Sequence, residues 1–218
     1  MSDELTVTYD LRALMPDVRD QGYRPLCLAF AASDLNSMSN RVLYPLSVEF
    51  LAYHAYLKEG HSDYDNGLTT RSVIDTLKHI GQPDETSLPY DIEADAPKVP
   101  PQSLSGRYRV HSCESFDFTS SIDGQLDKGV VTVACISLPD AFRTITSPFM
   151  LDEEDDHVGF HAVVVVGIGL LSSGSKYYLI RNSWGPEWGD KGHCWLSENF
   201  INKRTIALLE VSHLNESH

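Results

Sequence analysis

The stretch HAVVVVGIGLLSSGSKYYLIRN, residues 161–182, constrains this chain more than any other. Two runs rich in β-branched and aromatic residues flank a short polar turn, which is the pattern of an antiparallel hairpin. With the turn centred between residues 171 and 172, His161 falls opposite Asn182. An imidazole and an amide facing each other across two strands can hydrogen-bond. Residues 130–137 read as a further strand. Gly167 and Gly169 sit at the end of the first run, but LLSSGS supplies neither a third glycine in place nor a helix start. That excludes a dinucleotide-binding loop in favour of a tight hairpin.

The first half has a different texture. Pro25 suits a first helical turn, and beyond it Cys27, Phe30, Ala31, Leu35 and Met38 fall on one helical stripe. A second helix starts near Ser47, buries Val48, Leu51, Ala52 and Ala55, and ends at Lys58 and Gly60. A third runs over about residues 70–80 and is stopped by Gly81 and Pro83. The segment KVPPQSLSG, residues 98–106, reads as a linker. A helical half followed by a stranded half predicts an α+β fold. Residues 1–218 then form one domain, with a helical lobe over about 10–105 and a β lobe over about 106–212.

Charge and cysteine usage exclude whole classes of function. The 31 acidic side chains against 17 basic ones give a net charge of −14, which argues against nucleic acid or an anionic membrane as the main partner. No apolar stretch is long enough to span a bilayer. The start, MSDELTVTYD, has neither a basic segment nor an apolar one, so a cytoplasmic location is expected. Cysteines stand at 27, 113, 135 and 194 with no CxxC pair, the pattern of free thiols in a reducing compartment. None of the nine histidines lies in an HExxH helix, so neither a metal nor another cofactor is expected. DEEDD, residues 152–156, reads as an acidic loop of solvated charge.

Cys27 stands apart, in QGYRPLCLAF. It follows a Gly- and Pro-containing turn at the head of an apolar helix. A helix N-terminus carries unpaired N–H groups and about half a positive charge, which favours thiolate over thiol and makes sulfur a nucleophile. Taken singly, such a cysteine is more often a small buried hydrophobe. His161 alone reads as a structural histidine, and Asn182 as a strand end.

Three blocks together resemble the papain-like cysteine peptidases, in a microbial, intracellular branch without the usual disulfides. They are VRDQGYRPLCLAFAAS, GFHAVVVVGIG and IRNSWGPEWGDKGHCWLS, with a looser match at NGLTTRSVIDTLKHIG. The order Cys27, His161, Asn182 is the family's order. The resemblance implies a helical lobe and an antiparallel, barrel-like β lobe with the active site in the cleft between them. It implies hydrolysis of a peptide or protein substrate, with Cys27 as nucleophile and His161 as its acid–base partner. Asn182 would orient that histidine. Gln21 and the Cys27 N–H would bind the oxyanion, and Trp184 would cover the His–Asn bond. Gly67, flanked by Asn66 and Leu68, would hold the substrate backbone, and Phe160 beside the histidine would also touch it. The family's first cysteine is missing from RPLCLAF, bulky Arg24 and Leu26 replace small residues, and Leu28 replaces an aromatic. With 26 residues ahead of Cys27, inhibition by a propeptide is not expected. An acyl transferase using the same triad and an inactive binding module are the alternatives. No protein regulator or larger assembly can be named from the sequence.

Overall fold

The four valines at 163–166 serve two cores at once. Side chains along a strand alternate between its faces. Val164 and Val166 join a cluster shared with the N-terminal helices, and Val163 and Val165 join a second cluster on the opposite face. Their strand, β5 (Gly159–Leu171), is the spine of the molecule. The computed structural model describes residues 4–60, 63–111, 113–116, 121–152 and 156–211, with backbone only at 115 and 116.

Around β5 lies a sheet of eight strands among the described residues. One edge of β5 pairs with β3 (Thr132–Leu138), which leads out through β8 (Thr205–Val211) to β2 (Cys113–Phe116). The other edge pairs with β6 (Lys176–Arg181), which leads to β7 (His193–Ser197) and β4 (Met150–Leu151). The sheet is antiparallel except at the parallel β4–β7 pair, and its path stays open. Strand β1 (Leu5–Asp10) pairs with residues 167–171 of β5, so the helical half begins with a strand of the sheet.

The helices follow their caps. In α2 (Val48–Glu59), the Phe50 N–H donates to Ser47 Oγ at 3.1 Å, and Gly60 closes the helix with φ of 73°, a conformation that favours glycine. Helix α3 (Thr70–His79) starts from Thr69. Helix α1 (Cys27–Ser39) differs from the single stripe expected of it. Every residue from Leu28 to Met38 is buried, because α1 lies between its neighbouring helices and the sheet. Its polar residues are therefore partnered. Asp34 accepts from Arg19 Nη2 at 2.8 Å and from Arg181 Nε at 2.7 Å, and Asn36 donates to Gln82 at 2.9 Å. Pro25 lies outside this helix, just before the cap residue Leu26.

Three short helices cover the second core. They are α4 (Ile122–Leu126), α5 (Asp140–Arg143) and α6 (Glu198–Arg204), which insert Ile122, Leu126, Phe142, Phe200 and Ile201. At the ends of the acidic run, Asp152 accepts from Tyr177 Oη at 2.6 Å and Asp156 accepts from the Asp140 N–H at 2.8 Å. Residues 153–155 of that run lie outside the described residues.

The hairpin register departs from the sequence expectation. Val164 pairs with Arg181, Gly167 with Leu179 and Leu170 with Lys176, with a bulge between Val165 and Gly167. The turn shifts the register, and the bulge takes one residue of that shift back. The turn is longer, over residues 172–175 with Gly174 at φ 90°. At the bulge, a side chain on Gly167 would collide with the Tyr9 carbonyl of β1. His161 is therefore not opposite Asn182; its ladder partner is Ile136 on β3.

Candidate active site

Cys27 is the first residue of α1, and His161 lies near the start of β5. Both line one cleft of about 1220 Å³ between the helices and the sheet, together with Gln21, Gly67, Leu68, Phe160 and Trp184. Asn66 does not line it. Its carbonyl accepts from Tyr56 Oη at 2.7 Å and its amide donates to Asp63. Asn182, just past the end of β6, is buried behind His161.

Despite the shifted register, His161 Nε2 and Asn182 Oδ1 are 2.7 Å apart. The contact is made beyond the last ladder pair rather than across it. Asn182 Oδ1 also accepts the Ser183 N–H at 2.8 Å, which identifies that atom as the amide oxygen. An amide oxygen only accepts, so His161 carries its proton on Nε2, and Nδ1 has the free lone pair. The indole of Trp184 lies against the His161 ring, with centroids 4.6 Å apart and an interplanar angle of 36°. Phe142 meets both rings edge-on at 5.9 and 5.5 Å.

Electrostatically the site favours neutral groups. Burial pushes the Cys27 thiol up, against the backbone N–H groups of Ala162, Leu28 and Cys27 itself, which favour the anion. Burial brings His161 down to about 4, opposed by its bond to Asn182 and aided by Arg143. The helix-terminus argument alone predicts a thiolate. Desolvation of a single charge outweighs it here. The thiolate is therefore favoured only alongside an imidazolium, each ion offsetting the other's burial.

Gln21 has a fully specified amide. Its Nε2 donates to the Arg24 carbonyl at 2.8 Å, and its Oε1 accepts from Ser183 Oγ at 2.7 Å. One Nε2 hydrogen is left over. Sequence reasoning missed Ser183, which differs from any other serine in the sequence only by following Asn182. It also missed Arg143, Leu138, Ile206 and Ala207 of the cleft wall, which come from separate elements and share no motif.

A profile described as papain family cysteine protease matches residues 5–213. The chain belongs to that family. It is 27% identical to vignain of Phaseolus vulgaris over 212 residues, 93% of this chain and 56% of vignain. It spans about half the length of the curated relatives it matches. The fold is that of xylellain, a cysteine protease from Xylella fastidiosa, with a TM-score of 0.76 and 23% identity over 95% of this chain and 86% of that one. The bromelain protease of Ananas comosus, solved with the E64 inhibitor, gives a TM-score of 0.71 at 18% identity over 94% of this chain and 98% of that one. The fold of this papain-family chain is thus α+β with two lobes. All four of its cysteines are free.

His161 and His193 make stability depend on pH. Burial lowers both to about 4, with Arg181 adding to the effect at His193. An unfolded histidine titrates near 6.5, so the unfolded chain binds more protons between those values. The stability from keeping both rings neutral is complete above about pH 6.5 and is lost as pH falls toward 4. Thermal unfolding at pH 7.5 and 4.5 should show a drop of a few kcal/mol, roughly, and His193→Gln should make it smaller.

Proposed function

We propose that this chain is a cysteine peptidase that hydrolyses peptide bonds through Cys27, His161 and Asn182. One observation carries the reading. The cleft holds a cysteine at a helix N-terminus and a histidine whose Nε2 is fixed on an asparagine carbonyl, leaving Nδ1 free. His161 Nδ1 takes the thiol proton, and the sulfur attacks the substrate carbonyl. The tetrahedral oxyanion is held by the remaining Gln21 hydrogen and the Cys27 N–H. His161 then gives its proton to the leaving amine, and an acyl-enzyme remains. Water, deprotonated by His161, attacks the acyl carbon and releases the acid with the free thiol.

The cleft supports a peptide substrate. Its volume of about 1220 Å³ exceeds the roughly 300–1,000 Å³ of a small-molecule pocket. Gly67 presents backbone without a side chain along its wall, beside Leu68. Phe160, 67% exposed, offers an aromatic face at the rim. We assign substrate contact to these three and not to the Asn66 side chain. The reacting unit is the whole of residues 1–218, read as one domain.

An epoxide or vinyl-sulfone probe followed by peptide mapping tests this, alongside turnover of a mixed peptide library. Labelling at Cys27 with hydrolysed products is the expected result. Products joined to an added amine would identify a transferase instead. Neither labelling nor turnover would leave a binding module.

A further inference from the structure

Three residues before Cys27, the Arg24 side chain is 8% exposed and pairs with Glu49, which is 0% exposed. A buried ion pair adds little net stability, because desolvation offsets much of the attraction. Its placement calls for another reason, and the surrounding bonds supply one. The Arg24 guanidinium donates to Glu49 through both terminal nitrogens and to the Asp91 carbonyl at 2.7 Å. It also stacks over the Tyr90 ring, 4.7 Å from its centroid. Glu49 accepts two further backbone N–H groups, from Asp91 at 3.1 Å and Lys98 at 3.0 Å. One carboxylate on α2 thus gathers the 91–98 segment and the loop before Cys27.

That loop carries Gln21. The Gln21 amide is anchored on the Arg24 carbonyl, and Tyr90 Oη donates to the Gln21 carbonyl at 2.7 Å. We infer that Arg24 and Glu49 are positioning residues for the oxyanion site: their ion pair fixes the Arg24 main chain, and the Arg24 carbonyl aims the Gln21 amide at the substrate oxygen. This rests on the peptidase reading above. Arg24 borders the cleft, but its guanidinium is occupied by Glu49 and the Asp91 carbonyl, so the pair acts on the reacting atoms through Gln21. Misaiming an oxyanion donor lowers turnover while leaving ground-state binding largely intact.

The test pairs two rates on the full chain. Cleavage of a fluorogenic peptide needs the oxyanion site, whereas alkylation of Cys27 by iodoacetamide forms no oxyanion. Arg24→Lys keeps the charge but loses the two-pronged geometry. It should lower kcat by about tenfold or more, with KM within about threefold and the alkylation rate within about twofold. Arg24→Met/Glu49→Gln removes both charges but keeps an acceptor near the Asp91 and Lys98 N–H groups; the variant should stay folded with a modestly lower midpoint and kcat still low. An unchanged kcat in folded Arg24→Lys, or cleavage and alkylation falling together, would overturn the inference alone. A parent protein that is alkylated at Cys27 but cleaves no peptide would overturn the peptidase reading and this inference with it.

Discussion

Cys27→Ala should leave a folded protein that no longer cleaves peptides. Removing the nucleophile of a cooperating triad lowers turnover by about 10⁵-fold or more, because the other members have nothing left to activate. The cost to the fold is small. Cys27 is only partly buried, at the first turn of α1, and the substitution deletes one sulfur that burial already holds as a neutral thiol. The thermal midpoint should move by no more than about 4 °C. Steady-state kinetics and calorimetry on the same preparation check both halves. A variant that unfolds well below its parent would mark Cys27 as a packing residue.

Asn182→Ala should damage both stability and turnover. Asn182 and His161 are 3% and 5% exposed, so the variant leaves the Nε2–H of His161 without its acceptor in a dry setting. That costs about 1–3 kcal/mol, visible as a lower midpoint. It also frees the ring to rotate and to carry its proton on Nδ1, where it cannot accept one from sulfur. The expected loss in kcat lies between about 10² and 10⁴, the range that positioned acid–base catalysis supplies. A midpoint that falls while kcat stays within about threefold would reduce Asn182 to a structural partner.

Local signals were legible and distant ones were not. Ser47, Gly60 and the valine run act within a few residues of themselves, so their elements could be read directly. The His161–Asn182 contact was also legible, although the register behind it was not. A longer turn displaces the ladder and the bulge restores only part of it, yet both residues still stand at the open end of the hairpin. Beside the bulge runs β1, whose Leu5 pairs with Leu171 although the two lie far apart in the chain. No pattern in LTVTYD announces that partner. The helices α4 to α6 are too short to show periodicity, and their apolar residues only make sense against a sheet already in place. Arg24 read as an intruder beside the nucleophile, and its reason is Glu49 on another helix. The sequence shows the helix end that favours a Cys27 thiolate but not the burial that opposes it.

Under the proposed mechanism, the placement of β5 sets when catalysis can begin. Cys27 leaves the ribosome ahead of His161 and Asn182, which follow 134 and 155 positions later, and β5 needs β1, β3 and β6 around it. At the usual pace of translation the thiol waits roughly 8–30 s for its partners. On that reading, a nascent chain carries its nucleophile through most of synthesis with nothing yet to activate it.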